Sequence, residues 1–226
     1  MNLSRLESLI GIENIEKIKK LKVLVLGIGG VGGYTVESLV RSGVMNITLV
    51  DGDTIKPSNI NRQIIVTTFN FDKYKTKEWK KRIYDINPDA TVNIINTHIT
   101  EDNMEILFSD NYDYIIDCCD TSKVKIALVK ECYERVIKLV SSMGMANKLD
   151  ATRIKITTLD KTETDPLARK IRSEIGSKNK EMMQKVTVVY SDEPAINTNV
   201  LGSTAYVPAV AGLLITNHII NDVISN

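Results

Sequence analysis

The sequence has few cysteines: Cys118, Cys119 and Cys132 are the three among its 226 residues. Two of them are adjacent, and no C-x-x-C pair occurs. This spacing argues against a disulfide framework and against a four-cysteine zinc site. We therefore expect a protein of a reducing compartment, the cytoplasm.

The sequence also lacks an excess of charge of either sign, because 29 lysines and arginines face 28 acidic residues, for a formal net charge of +1. A strongly basic nucleic-acid-binding protein would lie further from zero. Any RNA contact would therefore come from local patches, and two lysine- and arginine-rich segments, at 73–82 and 169–180, are candidates. A solvated helix face explains the first segment at least as well.

Long apolar runs are missing as well. The first 20 residues have no apolar core of the kind found in signal peptides. No stretch approaches the roughly 20 apolar residues that a membrane-spanning helix needs, so no membrane partner is expected. The nearest candidate, 207–224, is predicted to be a buried or docking helix because four polar residues interrupt it: Asn217, His218, Asn221 and Asp222.

Short apolar strands alternate with helices in the first two thirds of the chain. This order predicts an α/β fold with a Rossmann-like, mostly parallel sheet and flanking helices. The predicted strands are 21–26, 47–50, 91–97, 112–117 and 138–142. The predicted helices are 5–20 with a break at Gly11, 33–42, 75–86, 102–108 and 122–136.

The alternation changes after residue 145. Strands are predicted at 152–159 and 185–190, and a charged helix at 165–175. The polar segment 176–184 is expected to be mobile. We interpret the chain as a single domain, 1–226, with a nucleotide-binding core (1–145) and a C-terminal antiparallel elaboration on the acceptor side (146–226).

A glycine-rich loop, G-I-G-G-V-G, follows the first strand and opens a helix. Its glycines, Gly27, Gly29, Gly30 and Gly32, fit the G-x-G-x-x-G pattern, in which backbone N–H groups approach a phosphate. Tight strand–helix packing is the alternative explanation. Asp51 closes the second strand, where an acid suits a ribose hydroxyl. These features serve NAD and ATP equally.

The next polar segment favours ATP over NAD. Arg62 can form bidentate bonds to phosphate oxygens, and Lys75 can neutralise outer phosphates. The nucleotide-binding set predicted from this segment also includes Asp53, Asn59 and Gln63. A solvated polar loop remains the alternative for any single one of these residues.

The D-C-C-D segment, 117–120, ends the fourth strand, and ligands of open α/β sheets bind outside such strand ends. Asp120 is a candidate ligand for Mg²⁺ bridging phosphates, whereas Asp117 can cap the next helix. Packing is favoured over nucleophilic roles for Cys119 and the other cysteines. Structural roles are likewise favoured for the two histidines, His98 and His218.

Taken in order, G-I-G-G-V-G, L-V-D-G-D-T-I, S-N-I-N-R-Q, Lys75 and D-C-C-D resemble the superfamily of ubiquitin-like-protein-activating enzymes that includes ThiF, MoeB and HesA. The resemblance spans 21–140. It implies an ATP–Mg²⁺ site that transfers AMP onto an acceptor oxygen and releases pyrophosphate. It also implies that Asp51 holds the ribose, that the segment around Arg62 and Lys75 holds the triphosphate, and that Asp120 holds the metal.

Further segments are similar to the TcdA (also called CsdL) family within that superfamily. They are R-L-E-S-L-I-G at 5–11, S-S-M-G-M-A-N-K-L-D-A-T-R-I-K at 141–155, K-T-E-T-D-P-L-A-R-K-I-R at 161–172, V-V-Y-S at 188–191 and G-S-T-A-Y-V-P-A-V-A-G-L from 202. That resemblance implies an ATP-dependent tRNA threonylcarbamoyladenosine dehydratase, typically a homodimer. Arg5 matches an arginine that reaches the partner's nucleotide, so it joins Arg62, Lys75 and Asp120 as a catalytic candidate.

The resemblance has departures, and other functions stay open. Ala146 stands where the family often has glycine, and the stretch from 191 to 202 is short. One alternative is an adenylyltransferase for a ubiquitin-like sulfur carrier, although such relatives often carry C-x-x-C zinc ligands. Another is a non-catalytic or redox NAD-binding module. A sulfur-relay partner is a further possibility.

Overall fold

The computed structural model describes residues 1–225. Its strands are β1 (Lys22–Leu26), β2 (Asn46–Val50), β3 (Thr91–Ile95), β4 (Tyr114–Asp117), β5 (Lys138–Ser142), β6 (Ile154–Thr158) and β7 (Thr187–Ser191). Its α-helices are α1 (Ser4–Ile10), α2 (Ile12–Lys20), α3 (Gly30–Arg41), α4 (Lys75–Ile86), α5 (Ser122–Glu134), α6 (Pro166–Ile175), α7 (Lys180–Lys185) and α8 (Val207–Ser225). Short 3₁₀ helices lie at Pro57–Asn59, Glu101–Phe108, Ala151–Arg153, Leu159–Lys161 and Ser177–Asn179.

All seven strands form one sheet in the order β3-β2-β1-β4-β5-β7-β6. Strand β1 is central, and it pairs in parallel with both β2 and β4. The chain therefore moves outward from β1 in one direction through β2 and β3, and then returns to the other side at β4. In open α/β sheets this switch point creates the crevice in which ligands bind.

The apolar character of the central strands follows from burial on both faces. Val23 and Val25 point into the core layer beneath α3, α4 and α8, and Leu24 and Leu26 point into the opposite layer beneath α5 and α6. Because both faces are covered, these strands are continuous apolar runs, as parallel sheets require. This arrangement confirms the predicted α/β fold.

The C-terminal part adds the two strands at the edge of the sheet. Strand β7 pairs in parallel with β5, and β6 pairs antiparallel with β7, from Ile154 opposite Ser191 to Thr158 opposite Thr187. The predicted antiparallel elaboration is therefore confirmed, and it consists of this single antiparallel pair. It places the loops 143–153 and 192–206 beside the carboxyl end of β4.

Helix α8 is long and apolar enough to span a membrane by length and composition, with a mean hydropathy of 1.4. It instead lies against α3. The hydroxyl of Thr35 donates to the carbonyl of Gly212 at 3.2 Å, and the hydroxyls of Ser38 and Thr216 are 2.6 Å apart. A Cβ at Gly212 would come within 2.4 Å of the Val31 carbonyl oxygen, so the absence of a side chain permits this close approach. The predicted buried helix is thus part of the core.

The segment at 176–184, which the sequence predicts to be mobile, forms a 3₁₀ turn and most of α7. The side chain of Met183 is buried in the same core layer as α5 and α6. Polar residues dominate the segment, so its two adjacent methionines, Met182 and Met183, which pack against this layer, gave too weak a periodic signal. The segment at 101–108 is a 3₁₀ helix, and α3 begins at Gly30, inside the glycine-rich loop.

Candidate active site

A cleft of about 510 Å³ opens at the carboxyl ends of β1 to β4, the position expected for a ligand in this topology. It gathers residues from six separate segments of the chain. Of the predicted set, it is lined by Gly27, Gly29, Gly30, Asp51, Asp53, Asn59, Arg62, Gln63, Lys75 and Asp120.

The glycine-rich loop owes its shape to two glycines. Gly27 has φ +80°, and a Cβ there would lie 2.8 Å from the backbone carbonyl atoms of Cys118. A Cβ at Gly32 would lie 1.9 Å from the Gly27 carbonyl oxygen. Gly32 does not line the cleft. Its prediction as a nucleotide contact is therefore corrected: it lets the first turn of α3 close against the loop, the packing role that was the alternative for the motif.

Asp51 organises the floor of the cleft. Its Oδ2 accepts from the N–H of Ile28 at 3.0 Å, and its Oδ1 accepts from the N–H of Asp53 at 2.8 Å. The side chain is nearly buried. One carboxylate thus ties the loop after β1 to the loop after β2. Its predicted bond to a ribose would use the remaining lone pairs of the same oxygens.

Lys75 is the buried cation of the cleft. Its Nζ donates to Asp53 Oδ2 at 2.6 Å and lies 3.6 Å from Asp51 Oδ2. The backbone holds the same geometry, because the N–H of Lys75 donates to the Asp53 carbonyl at 3.2 Å. A positive charge at the start of α4 is kept in a desolvated place by two carboxylates, so it is positioned before any ligand arrives.

The loop 56–63 forms the outer wall. Arg62 is half-buried and its Nη1 donates to the Ser58 carbonyl at 2.8 Å, which holds the guanidinium at the rim. The carbonyl of Asn59 accepts from the N–H groups of Arg62 and Gln63, forming a tight turn. The buried Gln63 Oε1 has no hydrogen-bond partner among the described residues. A buried oxygen in this state is suited to a donor on a ligand.

The opposite wall contains a buried polar network. Asp117 Oδ2 accepts from Lys125 Nζ at 2.9 Å and from the Ser141 hydroxyl at 2.7 Å, and its Oδ1 accepts from the N–H of Cys119. Burial is the largest single cause and acts to lower the pKa of Lys125, but the charge and hydrogen bond of Asp117 together with the neighbouring cysteines outweigh it, and the net shift is upward. Asp117 therefore anchors the loop after β4. It does not cap α5, which was the alternative role predicted for it.

Asp120 is exposed at the mouth of the cleft. No cluster of three or more histidine, cysteine, aspartate or glutamate side chains that suits a metal occurs within residues 1–225. In nucleotide sites one or two carboxylates can share Mg²⁺ with phosphate oxygens and water, and a single exposed carboxylate is compatible with that arrangement. The role of Asp120 as the Mg²⁺ ligand stays a prediction.

The neighbouring thiols have the wrong electrostatics for nucleophiles. Burial is the largest cause that raises the pKa of Cys118 to about 12, and the charge of Asp117 adds to it. The same two causes raise the pKa of Cys119, and burial likewise raises that of Cys132 to about 12. A protonated thiol is a poor nucleophile, so the preference for a packing role is supported.

His98 belongs to the cleft, which the sequence reasoning missed. It follows β3, and its Nε2 lies 3.8 Å from Asp53 Oδ1. Gly52 makes room for it, because a Cβ there would lie 2.6 Å from the imidazole. Its position shortly after a predicted parallel strand could have indicated that it lies at the same edge of the sheet as the other cleft residues. His218, by contrast, lies on α8 outside the cleft, and burial lowers its pKa.

A second cleft of about 540 Å³ adjoins the first. The two share Arg62, Asp120, Gly30 and the Cys118–Cys119 pair. The second cleft is more apolar, and its own walls come from the loops after β5 and β7, from the start of α6 and from the start of α8. They include Met143, Gly144, Met145, Ala146, Lys148, Asp165, Leu167, Ala195, Leu201 and Pro208.

Arg5 lies on α1, exposed, and lines neither cleft of its own chain. Its predicted contact requires a second subunit and stays a prediction. The departures from the family pattern fall on the second cleft, since Ala146 and the loop 192–202 contribute to its walls.

Comparison with known proteins places this architecture in a family. The sequence matches the ThiF family over residues 3–225. It is 40% identical to the tRNA threonylcarbamoyladenosine dehydratase of Bacillus subtilis over 243 residues, covering 99% of this chain and 94% of that protein. A crystal structure of Escherichia coli tRNA N6-threonylcarbamoyladenosine dehydratase, TcdA, in complex with ATP superposes with a TM-score of 0.93 at 32% identity, covering 99% of this chain and 93% of that one.

A more limited similarity links the chain to the molybdopterin-synthase adenylyltransferase of Haemophilus influenzae. The identity there is 29% over 47% of this chain and 44% of that protein. The near-complete match in sequence and the superposition of the whole fold agree with the motifs in the first cleft. The chain therefore belongs to the ThiF family.

Proposed function

We propose that this protein is an ATP-dependent tRNA threonylcarbamoyladenosine dehydratase. The proposal rests on one observation: a polar cleft and a more apolar cleft lie side by side and share Arg62 and Asp120. The first has the glycine-rich loop, carboxylates and buried lysine suited to a nucleotide. The second is more apolar and suits an acceptor group. The names of the near full-length relatives point to the same reaction.

The first chemical step activates the acceptor. A carboxylate oxygen of the threonylcarbamoyl group attacks the α-phosphorus of ATP, and pyrophosphate leaves. Arg62 and Lys75 neutralise the charge that accumulates on the phosphate oxygens, which is the main contribution a protein makes to phosphoryl-type transfer. Mg²⁺ held by Asp120 would supply further charge stabilisation at the same oxygens.

The second step closes a ring. The ureido nitrogen attached to adenine attacks the activated carbonyl carbon, the bond to the AMP oxygen breaks, and AMP leaves with the electron pair. Nucleophile and electrophile belong to one small group, so proximity supplies a large part of the rate. The product has lost one water relative to the starting nucleoside. No covalent bond to the protein is needed, in keeping with the protonated thiols of Cys118 and Cys119.

The proposal also covers the roles of the site residues, the oligomeric state of the protein and its contacts with tRNA. Residues 1–145 would bind the nucleotide, with Asp51 at the ribose and Asn59, Arg62, Gln63 and Lys75 at the triphosphate, and 146–226 would bind the acceptor. We propose a cytoplasmic homodimer in which Arg5 of one subunit reaches the other's nucleotide. The lysine- and arginine-rich segments at 73–82 and 169–180 would contact tRNA phosphates.

The direct test is mass spectrometry of nucleosides from threonylcarbamoyl-modified tRNA after incubation with the protein, ATP and Mg²⁺. We expect the wild type to remove one water and Arg62→Ala to leave the nucleoside intact. Arg135→Ala is the matched control, because Arg135 is remote from both clefts, pairs with Glu131 and lies over the Phe108 ring. It should act like the wild type.

The same preparation distinguishes the alternative. If ATP binds but the nucleoside is unchanged, the proposal fails. Pyrophosphate exchange should then be measured with a carrier protein that ends in Gly-Gly. Exchange that depends on that carrier would assign the second cleft to a protein C-terminus, as in a sulfur-carrier adenylyltransferase.

A further inference from the structure

The second cleft contains a buried carboxylate oxygen that the reaction described so far does not use. Asp165 is 1% exposed and stands at the N-terminus of α6. Its Oδ1 accepts from the N–H of Ala168 at 2.8 Å and so caps the helix. Its Oδ2 is fully buried and has no hydrogen-bond partner among residues 1–225. Buried carboxylate oxygens are ordinarily satisfied, so this one is placed to accept from a ligand.

Lys148 supplies the counter-charge for this carboxylate. Its Nζ lies 3.7 Å from Asp165 Oδ2, beyond hydrogen-bond distance, and donates instead to the carbonyl of Ser191 at 2.9 Å. The lysine is 3% exposed. The two side chains thus form a buried pair in which Asp165 Oδ2 stays without a hydrogen-bond donor from the described residues. The pair is an independent unit, because neither side chain lines the first cleft.

Gly144 leaves space over the oxygen. A Cβ at this position would meet Asp165 Oδ2 at 3.5 Å and no other described atom within 4 Å, apart from its chain neighbours. Gly144 and Asp165 both line the second cleft. A small group on an acceptor in this cleft can therefore approach Oδ2 across the bare backbone of Gly144.

Ring closure in the proposed function releases a proton that needs an acceptor. When the ureido nitrogen bonds to the activated carbon, it must lose its N–H proton. Of the charged side chains that line the second cleft, Arg62 and Lys148 are basic, and Asp120 and Asp165 are the two carboxylates. Asp120 is exposed and shared with the phosphate side. Asp165 is the remaining carboxylate.

We propose that Asp165 Oδ2 is the general base of ring closure, a catalytic role that rests on the proposed function. It accepts a hydrogen bond from the ureido N–H in the second cleft. As the nitrogen–carbon bond forms and AMP departs with the electron pair of the carbon–oxygen bond, the proton passes to Oδ2. Lys148 Nζ stays 3.7 Å from Oδ2 as the nearby basic group, and the proton is returned to water after the product leaves.

The test is a single-turnover experiment with enzyme in excess over threonylcarbamoyl-modified tRNA, in which pyrophosphate release and nucleoside dehydration are followed separately. Asp165→Asn keeps an Oδ1 acceptor for the helix cap but cannot take a proton. We expect pyrophosphate release to remain near the wild-type rate and ring closure to slow by about 100-fold, the size of a lost general base. Calorimetric ATP binding should not change.

Gly144→Ala is the second variant, because it leaves Asp165 and its helix cap intact. The new methyl would be in ordinary contact with Oδ2, so the melting temperature should hold while ring closure slows. Asp150→Asn is the matched control: Asp150 also caps a helical turn, through Thr152, but it is exposed and outside both clefts. It should behave as the wild type.

The possible outcomes separate the two proposals. A wild type that does not dehydrate the nucleoside would overturn the proposed function itself. A wild type that dehydrates, with Asp165→Asn closing the ring at the same rate, would overturn the role of Asp165 alone. Equal loss of pyrophosphate release and ring closure in Asp165→Asn, with Gly144→Ala active, would show a structural role and would also overturn it.

Discussion

Lys75 Nζ donates to Asp53 Oδ2 at 2.6 Å although only 6% of the lysine side chain is exposed. The aspartate, in contrast, is 53% exposed. The lysine is therefore held at the cleft by packing, whereas its partner can turn towards water. A bound triphosphate would replace Asp53 as the anionic partner of Lys75. Because Lys75 is already buried, binding would add little further cost of removing water from its ammonium group.

Lys75→Met should weaken ATP binding at least about tenfold, or about 1.4 kcal/mol, because a charge-assisted contact in a desolvated site is lost. Isothermal titration calorimetry measures this. Lys77→Met is the matched control, since Lys77 is exposed on the same helix and lies over the Tyr74 ring outside the cleft. Equal affinities for the two variants would contradict the assignment of Lys75.

Gly27→Ala should unfold the protein at lower temperature than Gly176→Ala. Both glycines have φ +80°, a backbone conformation that is strained for a residue with a side chain, so both variants carry a backbone cost of about 1–3 kcal/mol. Only Gly27 would also drive a Cβ to 2.8 Å from Cys118, which adds about 1–3 kcal/mol of overpacking. Chemical denaturation compares the two. A Gly176→Ala variant as unstable as Gly27→Ala would show that contact with Cys118 contributes nothing.

Acid should weaken the link between α3 and α4 through Glu37. Its carboxylate accepts from Arg41 and twice from Arg82. Burial acts to raise the pKa of Glu37, but the two arginines outweigh it, and the net pKa lies below the ordinary value of 4.5. A lowered folded-state pKa contributes stability that is present above the unfolded value and is lost as the pH falls through the folded value.

Glu37→Gln should therefore be less stable than the wild type at neutral pH, and the gap should narrow below pH 4.5. Urea denaturation at a series of pH values measures the two free energies of unfolding. Glu16→Gln is the control, because Glu16 makes an exposed i,i+3 pair with Lys19, and such pairs contribute little. A gap for Glu37→Gln that stays constant to low pH would contradict the arginine-driven shift.

Cys119→Ser should retain dehydration of the nucleoside, because the thiol is protonated and the proposed reaction needs no covalent intermediate. Serine keeps a side chain of similar size and replaces the weak S–H donor with a hydroxyl donor. Single-turnover dehydration is the measurement, accompanied by intact-mass analysis of the enzyme during turnover. A thioester adduct on wild-type Cys119, or loss of activity in the serine variant with ATP binding unchanged, would contradict a packing role.

Local motifs predicted much of the site. The loop from Gly27 follows the parallel strand β1, and the acid at Asp51 and the cluster from Asn59 to Gln63 both lie in the connection after its parallel neighbour β2. Because such strands end at the same edge of a sheet, the segments were expected to meet, and they line one cleft. The chemistry at these positions depends on backbone geometry and residue type, which short patterns specify.

Contacts between distant segments could not be predicted in this way. The motif contains Gly32 at the same position whether its role is phosphate contact or packing against the Gly27 carbonyl. The packing role becomes visible only in the structure, where the first turn of α3 lies too close to that carbonyl for a side chain. His98 and Met183 sit in polar stretches without a periodic signal. Their burial or exposure depends on neighbours that are far away in the chain.

Local patterns along the chain were enough to predict the alternation of strands and helices, the phosphate loop and the family resemblance, because each depends on residues close together in the chain. Which side chains face the second cleft depends instead on long-range packing. Lys148 and Asp165 are 17 positions apart and come from different loops, yet they form one buried pair. Their pairing arises because β6 and β7 complete the sheet edge and bring those loops together, a long-range effect that no local pattern encodes.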